Sequence, residues 1–393
     1  MTSIESSPHP LAFKVGNTAE IRLGDPLAGD EIRITTAARA IEGMQKEALV
    51  REGPGGTVWR MVSDEGPYLN GTDLAPFPLA FFTAGMASCY VSEILALAAR
   101  RRIDVRGLGL VLDNFYTMEG SALRGDMTGG ALPPEATAYV DTGADREAVD
   151  DLVRAAVTAS AASALLREPL ISRFALVRNG DPVPLDQVKP LEGAPAPDPA
   201  PAFGVAVPAD ASAYLPGIIE KLETAPTVFD PEGGAGSSLQ AEQKRLLHVR
   251  GICKVRPDGI KACKVQLFKP IGSVFRFLSD EPAGSGGAGQ APSGLAYLSA
   301  GIAFCFLTQI GRYAHIVKQH LEGYRVLQES GFGRAGALGK AQPIATHVYL
   351  DLSGPEDLAQ TMVRMGEQTC FLHATCRLEL EPRLRVSRDA MPA

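Results

Sequence analysis

The 393-residue chain has few cysteines, a single tryptophan and no block of like charge. Six Cys is far below the density of a disulfide-stapled secreted domain. The first thirty residues carry charges throughout and lack the apolar core of a secretory leader. Lys and Arg number 38 against 45 Asp and Glu, with no run of five like charges, so nothing matches a phosphate backbone. We therefore expect a cytoplasmic, mostly reduced protein with no nucleic-acid partner.

Apolar residues are plentiful, at 45% of the chain, which is ample for two or three domains with real cores. Two apolar stretches, Phe77–Ala99 and Ser293–Gly311, approach the length of a membrane span. The first contains Glu93, however, and the second includes Ser, Thr and Gln. Both are predicted to be buried core helices, and no membrane association is expected.

A segment of alternating Pro and small residues, Leu191–Pro201, divides the chain nearly in half and is predicted to be an extended, poorly packed linker. The two halves are related in sequence. Val58–Glu65 matches Val274–Glu281, and each octamer leads through a loop with Ala-Pro to an apolar segment that contains a cysteine. We interpret the chain as a tandem duplication.

The spacing of the candidate residues supports this interpretation. Arg60 precedes Cys89 by 29 residues, and Arg276 precedes Cys305 by 29 residues. Further downstream, a segment that begins with Ser160 falls opposite one that begins with Cys370. The two halves therefore carry unequal chemistry, with a second thiol only in the C-terminal half.

Strands grouped before and between helices, rather than strict alternation of the two, predict an α+β fold in each half. Period-two patterns at Gly107–Leu112, His347–Leu352 and Cys376–Glu381 predict strands, and Pro292–His320 and Glu356–His373 predict helices. The predicted units are an extension over 1–36, a domain over 37–180, a Pro/Ala-rich linker over 181–240 with a short helix at Leu215–Leu222, and a domain over 241–393.

Cysteine is also a common core residue, so Cys305 among apolar neighbours is explained by packing alone unless the repeat is considered. His373 lies one helical turn after Cys370, where it would act as a base or favour a nearby thiolate. No second Cys/His pair completes a metal site with these two residues. Cys253 and Cys263 lie symmetrically about a turn and are expected to face each other across a hairpin, without a chemical role.

The combination of Ala-Pro, a long apolar helix with a central Cys, and a second Cys on a later helix resembles the OsmC/Ohr family of thiol-dependent hydroperoxide reductases. The resemblance covers both halves, Ala37–Asn179 and Leu246–Val386. It implies α+β domains that form intertwined homodimers with sites at the subunit interface. Two fused copies would therefore form a single-chain pseudo-dimer, which can still pair with itself.

The resemblance also implies roles for individual residues. Cys305 would be the thiol that attacks a small organic hydroperoxide, Cys370 the thiol that resolves it as a disulfide, and Arg276 the group that lowers the pKa of Cys305. Cys89 and Arg60 are their counterparts in the first half, where Ser160 replaces the resolving thiol. No bound cofactor is implied, and an external dithiol would act as the reductant.

One departure from the family pattern leaves alternatives open. A family Glu ten residues before the first Cys is replaced by Leu79 and Leu295. A hydrolase or thiol-transfer enzyme that uses Cys305 or Cys89 as a covalent nucleophile is therefore the second interpretation. The third is a binding module in which the cysteines only pack and the long helices hold a small apolar ligand.

Overall fold

The computed structural model describes residues 2–23, 32–52, 56–226, 243–389 and 391. Within these ranges it has a mixed α/β fold with two sheets, consistent with the predicted α+β class. The helices are α1 (Pro78–Arg101), α2 (Arg146–Ala159), α3 (Ala161–Arg167), α4 (Ala200–Val205), α5 (Gly294–Ile316), α6 (Glu356–Thr369) and α7 (Phe371–Arg377). The strands that precede the linker are β1 (Ala12–Lys14), β2 (Ile32–Ala40), β3 (Lys46–Glu52), β4 (Val58–Ser63), β5 (Val105–Gly120), β6 (Thr128–Thr142), β7 (Arg173–Arg178) and β8 (Asp181–Val183). The later strands are β9 (Ile219–Glu223), β10 (Gln243–Val255), β11 (Lys261–Lys269), β12 (Val274–Ser279), β13 (Leu321–Ala335), β14 (Leu338–Ala341), β15 (Ala345–Leu352) and β16 (Arg383–Ser387).

Each of the two sheets contains strands from both halves of the sequence. One sheet has the order β1-β4-β3-β2-β13-β15-β7-β8, with β14 paired to β13. The other has the order β16-β6-β5-β10-β11-β12-β9. The halves meet where β2 pairs with β13 and where β5 pairs with β10, both antiparallel. The predicted units 37–180 and 241–393 stay a prediction, since each sheet interleaves strands of both segments.

Helices α1 and α5 pack against each other in the core. Pro78 begins α1 and the Ser293 side chain caps α5, which are ordinary helix starts. Glycines allow the close contact, because a Cβ on Gly85 would lie 2.5 Å from a backbone oxygen of Gly294, and one on Gly301 would lie 2.8 Å from the Phe82 nitrogen. The two helices are long and apolar enough to cross a membrane, yet most of their residues are buried within the protein. The prediction of two core helices is confirmed.

The linker has no regular structure as far as Pro199 and is mostly exposed or half-buried, yet hydrogen bonds tie it to the second half of the chain. The Tyr349 hydroxyl donates to the Ala196 carbonyl at 2.6 Å, and the Ala196 N–H donates to the His347 ring at 3.1 Å. Arg325 makes an ion pair with Asp198. The small residues between the prolines let the linker backbone approach β15 closely enough for these bonds.

Three predicted elements differ from the structure. The helix expected over Glu356–His373 is broken at Cys370, where the chain takes an extended conformation between α6 and α7. Cys376–Glu381, expected as a strand, begins in α7, because its alternation coincides with the last turn of a buried helix. Leu215–Leu222, expected as a helix, instead leads into β9, which completes the sheet beside β12.

Candidate active site

Cys305 and Cys370 meet in the core. Cys305 lies in the middle of α5 and is 2% exposed. Cys370 is the cap of α7, where its sulfur accepts the His373 backbone N–H at 3.5 Å. Cys370 and the backbone N–H of Leu372 both influence the pKa of the Cys305 thiol. The structure therefore brings the two cysteines predicted for the C-terminal half close together, and neither forms a disulfide in it.

The break at Cys370 is what turns its side chain toward α5. The first half has the same break, since Ser160 adopts an extended conformation between α2 and α3 and its hydroxyl accepts the Ala162 N–H at 3.3 Å. A hydroxyl can replace a thiol as a helix cap. It cannot form a disulfide, so the two halves share this backbone geometry but only the second half has a thiol at this position.

A buried charge cluster surrounds Cys305. Glu65, at the end of β4, accepts hydrogen bonds from Tyr68 at 3.0 Å and Thr308 at 2.8 Å. Burial raises the pKa of Glu65 and lowers the pKa of Lys46, while the attraction between the two charges opposes both shifts. The charges of Lys46 and Arg312 both interact with Cys305. Neither Glu65 nor Lys46 was predicted from the sequence.

The Cys305 thiol is protonated in this resting state. Burial raises its pKa well above the ordinary value, and the interaction with Cys370 and the negative charge of Glu65 raise it further. Lys46 and Arg312 act in the opposite direction, because a nearby cation favours a thiolate. The site can therefore form a thiolate only if the proton is passed to another group.

A narrow cavity leads to the Cys305 thiol. Its interior measures about 20 Å³, room for one water-sized molecule. The residues that line the cavity with Cys305 are half apolar and half polar. The apolar residues are Leu69, Pro78, Leu79, Leu247, Leu267 and Phe371, and the polar residues are Glu65, Tyr68, Arg245, Thr308, Gln309 and Arg312. Leu79, which takes the place of the family Glu, thus lies beside the thiol of the other half, and Glu65 supplies a carboxylate to the same cavity.

The structure places Arg276 and Arg60 away from the thiols. Phe277 packs on Phe81 of α1 with ring centroids 5.2 Å apart, so the preceding Arg276 projects from the opposite face of its sheet, where it pairs with Glu220 at 2.7 Å. Arg60 similarly projects away from the helices. It donates to Glu47 at 2.7 Å and lies over the ring of Phe13. The cations that interact with Cys305 are Lys46 and Arg312 rather than Arg276.

Cys89 has a similar but more open environment. Ser92 donates to Glu281 at 2.6 Å, and Lys261 donates to both Ser92 and Glu281 at 2.7 Å. The Cys89 sulfur lies against Gly294 at the start of α5 and is half-buried. Burial is the main cause that raises its pKa, and Glu281 adds to it. A thiol, a carboxylate, an ammonium and a hydroxyl thus occur together at both cysteines.

The carboxylates near the two cysteines belong to sequence segments already singled out, but their place beside the cysteines was not predicted. Glu65 and Glu281 are the last residues of the two matched octamers on which the predicted duplication rests. Each lies in the structure beside the cysteine of the other half, Glu65 near Cys305 and Glu281 near Cys89. The glutamate shared by the ends of the two octamers was therefore a sequence signal for a carboxylate near each cysteine.

The His373 ring lies among aromatic side chains in the core. Its ring is 1% exposed and packs against Phe306 and Phe174, with centroids 5.2 and 5.6 Å apart. Neither ring nitrogen has a hydrogen-bond partner in the described part of the chain. Burial lowers the pKa of His373 to about 4. Its backbone N–H donates to the Cys370 sulfur, which agrees with the predicted place one helical turn after Cys370, and its role as a base stays a prediction.

Cys253 and Cys263 are opposite each other on β10 and β11, which confirms the predicted hairpin pairing. The two thiols are buried, and the interaction with Cys253 is the main cause that raises the pKa of Cys263. No group of three or more His, Cys, Asp or Glu that could hold a metal ion occurs among the residues that the structure describes.

No family model matches the chain, and no curated protein matches its sequence. Among solved structures, it is similar to an OsmC-like hydroperoxide resistance protein from Jannaschia sp. CCS1. The identity is 23% over 31% of this chain and 79% of that one, with a TM-score of 0.19.

Proposed function

We propose that the chain is a thiol-dependent hydroperoxide reductase whose reacting pair is Cys305 and Cys370. The observation that carries this proposal is that Cys370 lies near Cys305, which lines a cavity together with a buried carboxylate and two arginines. Two cysteines can form a disulfide when their Cα atoms lie within about 7 Å of each other. A pair of packing residues would not need the surrounding Lys46, Glu65 and Arg312.

The reaction begins at Cys305. As a hydroperoxide ROOH displaces the contents of the cavity, the thiol proton passes to the Glu65 carboxylate, and Lys46 and Arg312 stabilise the resulting thiolate. The sulfur attacks the terminal oxygen, the O–O bond breaks, and RO⁻ takes the proton from Glu65 and leaves as ROH. Cys305 is left as a sulfenic acid.

The second half of the cycle uses Cys370. Its sulfur attacks the sulfenic acid, water is released, and a Cys305–Cys370 disulfide forms. An external dithiol then returns two electrons by thiol–disulfide exchange. No bound cofactor or metal is required, and the substrates are a small hydroperoxide and the dithiol. These steps suit the reducing cytoplasm that the cysteine content predicts.

We also infer that the two halves act as the subunits of a pseudo-dimer. Lys46 and Glu65 of the first half complete the site of Cys305, and Lys261 and Glu281 of the second half lie beside Cys89. Interleaved sheets and exchanged site residues are what a duplicated, intertwined dimer would give. The site at Cys89 has lost its resolving thiol and is not required for turnover.

Peptide mass mapping tests the proposal. The reduced protein is treated with one equivalent of tert-butyl hydroperoxide, and we expect rapid formation of a Cys305–Cys370 cross-link. Cys370→Ser should instead accumulate a sulfenic acid on Cys305 that dimedone traps. Cys263→Ser is the matched control, since it removes one thiol of a buried pair outside the cavity.

Two results would contradict the proposal. One is a Cys305 that is oxidised no faster than Cys253. The other is a Cys370→Ser variant that sustains dithiol-dependent peroxide turnover at the wild-type rate, since a covalent hydrolase needs no resolving thiol.

A further inference from the structure

The side chain of Tyr116, on β5, lies in the core near the two thiols of the C-terminal half. Its ring packs on Phe371, the residue after Cys370, with centroids 5.8 Å apart. Its cross-strand neighbour on β10 is Leu247, and both Leu247 and Phe371 line the Cys305 cavity. Burial is the main cause that raises the pKa of Tyr116 well above its ordinary value, and interactions with Cys305 and Cys370 raise it further. The phenol therefore stays protonated within electrostatic reach of both sulfurs.

The Tyr116 hydroxyl has no hydrogen-bond partner among the residues that the structure describes. Thr83 also influences its pKa, but the Thr83 hydroxyl accepts the Asn114 amide at 2.9 Å. Tyr116 is 1% exposed, and a buried hydroxyl without a partner destabilises a fold. A phenylalanine would fill the same space without this cost, so packing does not explain the hydroxyl.

The predicted duplication offers a comparison. Phe332, on β13, follows Tyr116 by 216 positions, the same interval that separates Cys89 from Cys305. Phe332 is also 1% exposed, and β14, the strand paired with it, packs against the backbone of Ser160. The half-site without a second thiol thus has the plain ring, and the ring with a hydroxyl occurs where two thiols lie together.

We propose that the Tyr116 hydroxyl donates a hydrogen bond to the oxygen that Cys305 gains as a sulfenic acid, and that Tyr116 is a catalytic residue of the resolving step. This inference rests on the proposed function and assigns a proton donor to its second stage. As the Cys370 sulfur attacks the Cys305 sulfur, the S–S bond forms and the S–O bond breaks. The leaving oxygen takes the phenol proton and departs as water, while the Cys370 thiol proton passes to the phenolate and restores Tyr116.

The reduced site leaves room for this oxygen. The cavity beside Cys305 measures about 20 Å³, enough for one water-sized group. The hydroxyl would gain its partner only after Cys305 is oxidised, which accounts for its unpartnered state here. A hydrogen bond that forms at that stage speeds the resolving step rather than stabilising the resting fold.

A single-turnover experiment separates the two steps. Reduced protein is mixed with one equivalent of tert-butyl hydroperoxide and quenched with dimedone at intervals, and mass spectrometry measures the trapped Cys305 sulfenic acid and the Cys305–Cys370 disulfide. Tyr116→Phe, which copies Phe332, should slow conversion of the sulfenic acid to the disulfide about tenfold, the usual contribution of one hydrogen bond. Formation of the sulfenic acid should be unchanged. With excess peroxide, more Cys305 should reach the sulfinic acid in this variant.

Tyr90→Phe is the matched control. It removes the hydroxyl of an equally buried tyrosine that bonds Ser163 at 3.0 Å, next to Cys89, and should leave both rates unchanged. Thermal unfolding of the reduced proteins shows whether the Tyr116 hydroxyl has a structural role instead. Tyr116→Phe should unfold at or above the wild-type temperature, because the change breaks no hydrogen bond of the reduced protein.

Equal rates of disulfide formation in Tyr116→Phe and the wild type would overturn the inference and leave the proposed function standing. A clearly lower unfolding temperature of Tyr116→Phe would also overturn it, since the hydroxyl would then be bonded in the resting state. If Cys305 is not oxidised even in Cys370→Ser, the proposed function fails, and the inference fails with it.

Discussion

The buried imidazole of His373 makes stability depend on pH in a way that a single variant can isolate. Its folded pKa of about 4 lies below the ordinary value of 6.5, with burial as the main cause and Arg377 adding to it, while Glu367 opposes them. The unfolded chain therefore binds a proton at higher pH than the folded one. The stabilisation is fully present above about pH 6.5 and is lost as the pH falls toward 4.

The expected size follows from this difference in pKa. A shift of about 2.5 units corresponds to about 3 kcal/mol of unfolding free energy across the window. His373→Leu removes the titrating group and both unpartnered nitrogens, so at pH 7.5 it should be at least as stable as the wild type. At pH 4.5 it should be more stable by about 2 to 3 kcal/mol beyond any difference at pH 7.5.

Chemical denaturation at the two pH values measures this change, with the variant and the wild type compared at each. His320→Leu, at an exposed position after α5, is the control and should show no such divergence. Parallel stability curves for the wild type and His373→Leu between pH 7.5 and 4.5 would refute the reasoning. They would mean that His373 is solvated or hydrogen-bonded in solution.

Three further predictions concern the site and the core. Glu65→Gln should lower kcat/KM for a hydroperoxide by about 100-fold, the usual size of a proton-transfer contribution, and an unchanged rate would exclude Glu65 from proton transfer. Gly301→Val should destabilise the fold by more than about 2 kcal/mol in a thermal unfolding assay, because its Cβ would lie 2.8 Å from the Phe82 nitrogen. Cys263→Ser should leave the number of peroxide equivalents consumed per chain unchanged, and a lower number would assign redox chemistry to the hairpin thiols.

The sequence predicted most of the helices, strands and turns that local residue patterns determine. The two core helices and the strands at Gly107–Leu112 and His347–Leu352 followed from periodicity, and so did the hairpin that pairs Cys253 with Cys263. The duplication stays a prediction. The break at Cys370 was missed because Glu356–His373 has a continuous helical pattern. Capping by a cysteine side chain is a weak sequence signal beside the residues that usually cap helices.

The charged residues around Cys305 could not be predicted, because their local sequence does not mark them as site residues. Lys46 lies on β3, and nothing in its local sequence distinguishes it from a surface lysine. Arg312 is on a helix that composition identifies as core, so its charge gave no reason to associate it with a cavity. Arg276 had the correct spacing to Cys305, but spacing along the chain does not show which face of a strand a residue occupies.

The exchange of residues between halves explains why the Cys89 environment persists without a resolving thiol. Lys261 is 4% exposed, and its ammonium depends on Glu281 and Ser92 for hydrogen bonds. Replacing Glu281 would leave the buried Lys261 ammonium without its carboxylate, which destabilises the fold. The cluster is therefore retained for stability whether or not Cys89 reacts. Ser160, at the position that corresponds to Cys370, caps α3 with its hydroxyl, so the fold does not require a thiol there.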